Sequence, residues 1–321
     1  MTLRLQPMVL LCLAFLACGG PWRQTESDNL GLEGGAFDRV RFMLSGGRVI
    51  EAGQSLSELP VNLRETPQWA YLMGRTQLLS GHADRAVGYL EDAHRRMPAS
   101  AAVKNDLAVA LVRAGKARHA LPLLDGLLAA HPKDPDLRLN QAVALQSAGR
   151  TADAQETLSR LARERPDWFD ARFNLGLAAL ANGDAQTAVF EFRQAARLKA
   201  GDRDVLLGLA AACTRFQDHV CSEQAIREAI SRFPEDPKVL MGWGNQQEAS
   251  GKLEEARHAF GKSTQVAPNC ADCWYGLGRI QERLGDKKAT VRSYERHLEI
   301  APEGMTANPV RMRLKVIQEG K

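Results

Sequence analysis

Apolar and polar positions follow two regimes along this chain. Near the start, a single apolar run, Met8–Ala17, follows one basic residue, Arg4. Beyond it the apolar residues take the spacing of amphipathic helices, and small or helix-breaking residues punctuate them on a fixed period. Prolines stand at Pro98, Pro132, Pro166, Pro234, Pro268 and Pro302, separated by 34, 34, 68, 34 and 34 residues, with Ala200 at the vacant place. Glycines keep the same period at Gly47, Gly81, Gly115, Gly149, Gly183, Gly251 and Gly285. Alanines do so at Ala52, Ala86, Ala120, Ala154, Ala188 and Ala256.

A period of this length predicts pairs of helices. The glycine sits where two amphipathic helices meet in a tight turn, because it accepts dihedrals that other residues resist. The proline closes each unit, since it cannot continue a helix interior. Small residues such as Gly74, Gly176, Gly244 and Gly278 let the paired helices approach closely. One such unit cannot bury its apolar face alone, so the units must stack. Residues 305–321, "MTANPVRMRLKVIQEGK", predict a last helix from about Asn308-Pro309. Val310, Leu314 and Ile317 would cover the open end, and Arg311, Arg313 and Lys315 would face water.

The last unit carries Trp274, Leu277, Gly278 and Pro302 at positions 4, 7, 8 and 32, and in this it resembles the tetratricopeptide repeat (TPR) family. Frames starting at 33, 67, 101, 135, 169, 203, 237 and 271 extend the resemblance over residues 33–304. The first frame, 33–66, is degenerate, with Arg64 in place of the closing proline. The sixth, 203–236, has Gln217 in place of the turn glycine. The fold expected is all-α: a TPR superhelical solenoid of about eight helix-turn-helix repeats with a C-terminal capping helix, 305–321.

The resemblance also implies where a partner would bind, on the first helix of each unit. The residues it assigns are Tyr71, Arg75, Leu78, Asn105, Val109 and Arg113 toward the N-terminus. Leu139, Val143, Phe173, Leu177, Leu180 and Leu207 follow in the middle, then Met241, Asn245, Glu248, Tyr275, Arg279 and Glu282 toward the C-terminus. An apolar middle with mixed ends suits a helix or extended peptide that inserts apolar anchors, although some of these residues could instead pack between repeats. The carboxylate clamp of chaperone-binding TPR domains is not reproduced, because Tyr71, Arg75 and Asp106 stand at its places.

The N-terminal run is too short to span a bilayer as a helix but suits the core of a signal peptide. It ends in Phe15-Leu16-Ala17-Cys18, which resembles a bacterial lipobox, with Phe15 departing from the usual aliphatic residue. Residues 1–17 are then a signal, Cys18 the lipidated residue and membrane anchor, and 18–32 a tether. Gly19 after the cysteine favours, by resemblance to lipoprotein sorting, an outer-membrane protein facing the periplasm. The alternatives are ordinary cleavage at the small-x-small site Ala17-Cys18-Gly19 and an uncleaved cytosolic start.

Composition narrows the function. Lys and Arg number 42 against 38 Asp and Glu, interspersed and without a basic cluster, which argues against nucleic acid. Removing the signal removes Cys12 and leaves Cys213, Cys221, Cys270 and Cys273 besides Cys18. An even number in an exported chain favours disulfides. Cys270-x-x-Cys273 lies at a helix entry, where a thiol pKa falls. Trp274 stands where a haem-attachment motif needs His. A structural disulfide, free thiols, a metal site completed from elsewhere and redox catalysis all remain open for this pair. Cys213 and Cys221 fall on facing helices of the unit that lacks the turn glycine, where a bridge could compensate for the poorer turn; a zinc site using all four cysteines is the alternative.

Gly261-Lys-Ser-Thr264 imitates a phosphate loop, but Ala256 replaces its first glycine and no strand precedes it. The seven histidines read as surface residues. No catalytic motif, cofactor, metal or small-molecule substrate is indicated. The expected function is a lipid-anchored scaffold that binds other envelope proteins to assist assembly of a pilus, secretion, motility or polysaccharide-export machine. The alternatives are a soluble cytosolic adaptor and a thiol oxidoreductase.

Overall fold

The computed structural model describes residues 35–319. The signal-like run, Cys12 and Cys18 lie outside the described residues. The described chain is helical throughout and divides into two compact units, one ending at Asn182 and the other starting at Gly183.

The first unit contains α1 (Ala36–Ser45), α2 (Val49–Ser57), the single turn α3 (Val61–Arg64), α4 (Pro67–Leu79), α5 (Ala83–Arg96), α6 (Ala101–Arg113), α7 (Ala117–Ala130), α8 (Pro135–Ser147), α9 (Thr151–Glu164) and α10 (Phe169–Ala181). The second contains α11 (Ala185–Leu198), α12 (Arg203–Arg215), α13 (His219–Arg232), α14 (Pro237–Ala249), α15 (Leu253–Val266), α16 (Ala271–Arg283), α17 (Lys287–Ile300) and α18 (Ala307–Gln318). Consecutive helices pack pairwise within each unit, as a helical solenoid requires. From α4 onward, first helices begin at 67, 101, 135, 169, 203, 237 and 271, the frame set by the sequence period. The segment Gly261–Thr264 lies inside α15 and forms no loop.

The residue before most of the first helices explains these starts. Thr66, Ser100, Asp134, Asp202 and Asp236 are N-caps whose side-chain oxygens accept from backbone N–H groups of the first turn. Proline follows at Pro67, Pro135 and Pro237, where the missing N–H has no intrahelical partner to lose. At the last of these positions stands Cys270, whose sulfur accepts from the Cys273 N–H.

The turns within repeats need a left-handed residue. Gly81, Gly115, Gly149, Gly183, Gly251 and Gly285 supply it, with φ between 73° and 85°. In the sixth repeat Gln217 takes this place at φ 62°, the one non-glycine residue with positive φ among those described. A side chain in that region costs about 1–2 kcal/mol, against which glycine's extra unfolded-state entropy recovers only part. Gln217→Gly is therefore expected to stabilise the fold by about 1 kcal/mol, raising the denaturation midpoint without changing the far-ultraviolet spectrum.

α18 closes the second unit. Val310 and Leu314 are buried against Tyr294, with Ile317 packed beside them, while Arg311, Arg313 and Lys315 stay exposed to differing degrees. His297 corrects the reading of the histidines as surface groups, being 1% exposed. One of its ring nitrogens contacts the Ala271 carbonyl at 2.9 Å and the other the Thr306 hydroxyl at 2.8 Å, tying α17 to α16 and to the approach of α18.

Candidate functional site

The residues assigned to a binding surface separate into two groups. Tyr71, Leu78, Val109, Leu139, Val143, Phe173, Leu177, Leu180 and Leu207 are each 8% exposed or less. The reason is that first helices of neighbouring repeats lie side by side: α4 with α6, α6 with α8 and α8 with α10 in the first unit, and α12 with α14 and α14 with α16 in the second. Val109 and Val143 border a gap of about 10 Å³ with Ala108, Val112, Leu124 and Asn140, room for one water at most. Phe173 stacks on Phe169 at 5.8 Å. The expected apolar anchor surface is thus corrected to interior packing.

Polar residues of the first unit also join repeats. Arg75 Nε lies 3.2 Å from Asp106 Oδ2, and the guanidinium sits 5.7 Å from the Tyr71 ring centre. Asp106 is only 2% exposed, and burial pushes its carboxyl above the usual range while the Arg75 charge pulls the other way. Asn140 donates to Asn105 at 2.9 Å, and Arg113 donates to the Leu78 carbonyl at 3.1 Å. Arg75, read from the sequence as facing a partner, therefore neutralises a buried carboxylate.

The second unit differs. On α14 and α16, Arg279 Nη2 donates to Asn245 Oδ1 at 3.0 Å and to Glu248 Oε2 at 2.5 Å, while Arg283 Nη1 donates to Glu248 Oε1 at 2.9 Å. Two guanidiniums share one carboxylate, so the cluster keeps one net positive charge. The side chains of Arg279 and Arg283 are 27% and 47% exposed, and the buried Nε of Arg279 has no hydrogen-bond partner. The Tyr275 ring lies 5.9 Å from Arg279 and stacks toward Tyr294 at 6.2 Å. Glu282 accepts from the Tyr294 hydroxyl at 2.9 Å and pairs with Arg313; burial, then that carboxylate, raises the Tyr294 pKa. Met241 is half-buried, with its sulfur near those of Cys270 and Cys273.

The sequence reading missed Arg283 and His297. Arg283 was legible: it lies four residues after Arg279 and one repeat plus one residue after Glu248. The four cysteines are joined as Cys213–Cys221, with Cα atoms 5.8 Å apart, and Cys270–Cys273, at 5.3 Å. Among the described residues, no three His, Cys, Asp or Glu side chains gather as a metal site, and no helix is long and apolar enough to cross a membrane.

Family models of the tetratricopeptide repeat match residues 71–135 and 241–304, residues 111–178, and residues 169–202. The chain belongs to the tetratricopeptide repeat family. As a TPR protein it is a protein–protein interaction scaffold. A tetratricopeptide repeat protein from Parabacteroides merdae superposes with a TM-score of 0.65 at 20% identity, covering 78% of this chain and 98% of that one. The type IV pilus biogenesis factor PilW superposes at 0.55 with 18% identity, covering 65% of this chain and 97% of PilW. Among curated sequences, the human Protein O-mannosyl-transferase TMTC1 is 29% identical over 99 residues, 30% of this TPR chain. The match spans 11% of that relative's length.

Proposed function

We propose that this TPR protein is a scaffold anchored by lipid at Cys18 in the cell envelope, where it captures a partner protein and assists assembly of an envelope machine. The observation that carries the recognition step is the Asn245, Glu248, Arg279 and Arg283 cluster. Its surplus positive charge and the partly exposed Arg279 and Arg283 side chains suit an acidic or carbonyl-rich segment of the partner, because charge-assisted hydrogen bonds from guanidinium groups are the strong ones. The buried apolar positions leave this polar surface, rather than apolar anchors, to set specificity. The anchor rests on the lipobox-like Phe15–Cys18. The use of this fold by a pilus biogenesis factor supports a role in building such a machine.

Arg279→Gln together with Arg283→Gln is expected to weaken partner capture from native envelopes about tenfold at low salt, with helicity retained. Captured partner should also fall as ionic strength rises, since exposed charge contacts are screened. Equal capture by parent and variant at every salt concentration would remove this surface from the account.

A further inference from the structure

Three soft sulfur donors converge where α16 begins. Met241 Sδ on α14 lies 3.5 Å from Cys273 Sγ and 4.0 Å from Cys270 Sγ. Their places in the fold are specific. Cys270 holds the N-cap position that Asp202 and Asp236 hold in the two preceding repeats, where a carboxylate accepts from first-turn N–H groups. Cys270 Sγ already accepts from the Cys273 N–H at 3.1 Å. A helix N-terminus favours negative charge and thiolate over thiol. Cys273 is fully buried, while Cys270 and Met241 are partly exposed and leave a way in.

We propose that, once the Cys270–Cys273 disulfide is reduced, Cys270, Cys273 and Met241 bind one Cu(I) ion. Thiolate and thioether sulfurs select this ion, whereas zinc calls for a fourth ligand, and no third His, Cys, Asp or Glu is grouped with these cysteines among the described residues. The spacing agrees. With metal–sulfur bonds of about 2.3 Å, a three-coordinate planar ion needs its sulfurs about 4 Å apart, and the methionine already stands at such distances from both cysteines. Only the two cysteine sulfurs have to separate, and their Cα atoms, 5.3 Å apart at one helix entry, permit it. The complex of Cu(I) with two thiolates and a thioether carries one net negative charge, which the α16 N-terminus stabilises.

The steps balance. A dithiol reductant gives two electrons and two hydrogens, becomes a disulfide itself and leaves Cys270 and Cys273 as thiols. Cu(I) then displaces the two thiol protons to solvent, and no electron moves. A disulfide oxidant takes two electrons from the two thiolates and becomes a dithiol itself, which restores Cys270–Cys273, removes two ligands and releases the ion, so the site loads only in the reduced protein.

The test uses the full chain, reduced with a phosphine under anaerobic conditions and titrated with Cu(I) against a chromophoric Cu(I) chelator. Cys270→Ser with Cys273→Ser is expected to bind one Cu(I) per chain fewer than the parent; any binding by Cys12, Cys18, Cys213 and Cys221 is common to both and cancels. Met241→Leu conserves side-chain volume and thus the fold. It is expected to weaken the site about tenfold, the scale on which loss of a supporting group lowers metal affinity, and to reduce the sulfurs seen around copper by X-ray absorption from three to two. Equal stoichiometry in parent and double-serine proteins would overturn the site. Affinity unchanged by Met241→Leu would overturn the three-sulfur assignment, and equal binding by the oxidised chain would overturn its dependence on reduction.

Discussion

Gly276→Val is expected to destabilise the second unit by about 3 kcal/mol and to lower its melting temperature by about 10 °C. The cause is the Phe260 ring, 1% exposed on α15, which lies between two glycines. A Cβ at Gly244 would stand 2.7 Å from one edge of the ring, and a Cβ at Gly276 closer still to the opposite edge. The ring cannot retreat from either without striking the other. By contrast, Gly208 faces Phe192 at 2.6 Å and Gly74 faces Leu90 at 2.6 Å, each from one side. Because a solenoid is stabilised by nearest-neighbour interfaces, hydrogen exchange should accelerate first in residues 237–304. Phe260→Leu in the Gly276→Val background should recover part of the loss, a non-additivity expected of residues in contact. A variant that melts within a degree of the parent would show that the ring is not held between the two helices.

The second large effect is expected in the first unit. Arg75→Met removes the cation beside buried Asp106 and should cost about 3–5 kcal/mol, the loss typical of breaking one side of a buried ion pair. The pH dependence gives the loss its own mark. In the variant, burial acts on Asp106 without the opposing guanidinium, so the folded-state pKa rises further above that of the unfolded chain. A carboxyl raised in this way is favourable to folding below its unfolded pKa of about 4, and that contribution is lost as pH rises through the folded value. The stability deficit of Arg75→Met should accordingly be smaller at pH 4 than at pH 7, by denaturant melts. Adding Asp106→Asn should abolish the difference. A deficit equal at both pH values would mean that Asp106 is not buried without compensation in the variant.

Much of this fold was legible because its determinants are local. Turn glycines, N-cap Thr, Ser and Asp residues and the closing prolines act within a few residues of their own position, so the period exposed the start of each first helix from Pro67 to Ala271. Gln217 broke the pattern in sequence and does so in the structure, as a strained turn. The site was less legible, because exposure depends on how neighbouring repeats cover one another. Leu177 and Leu180 look like a groove in a single helix and are 1% exposed in the fold. The inter-repeat ion pairs did leave a trace: Arg75–Asp106, Glu248–Arg279 and Glu282–Arg313 each lie 31 residues apart, three short of a repeat. A search for opposite charges at that spacing would have identified Arg75 as structural. His297 gave no such signal, since its partners are a backbone carbonyl and a loop hydroxyl.

The central claim, a scaffold held in the envelope by lipid, is tested most directly by the intact mass of the protein isolated from its own cells. The account predicts loss of residues 1–17 and a diacyl or triacyl adduct on Cys18, with the protein partitioning into the membrane fraction. An unprocessed chain of 321 residues without an adduct, recovered in the soluble fraction, would contradict it and make a soluble adaptor the reading to pursue.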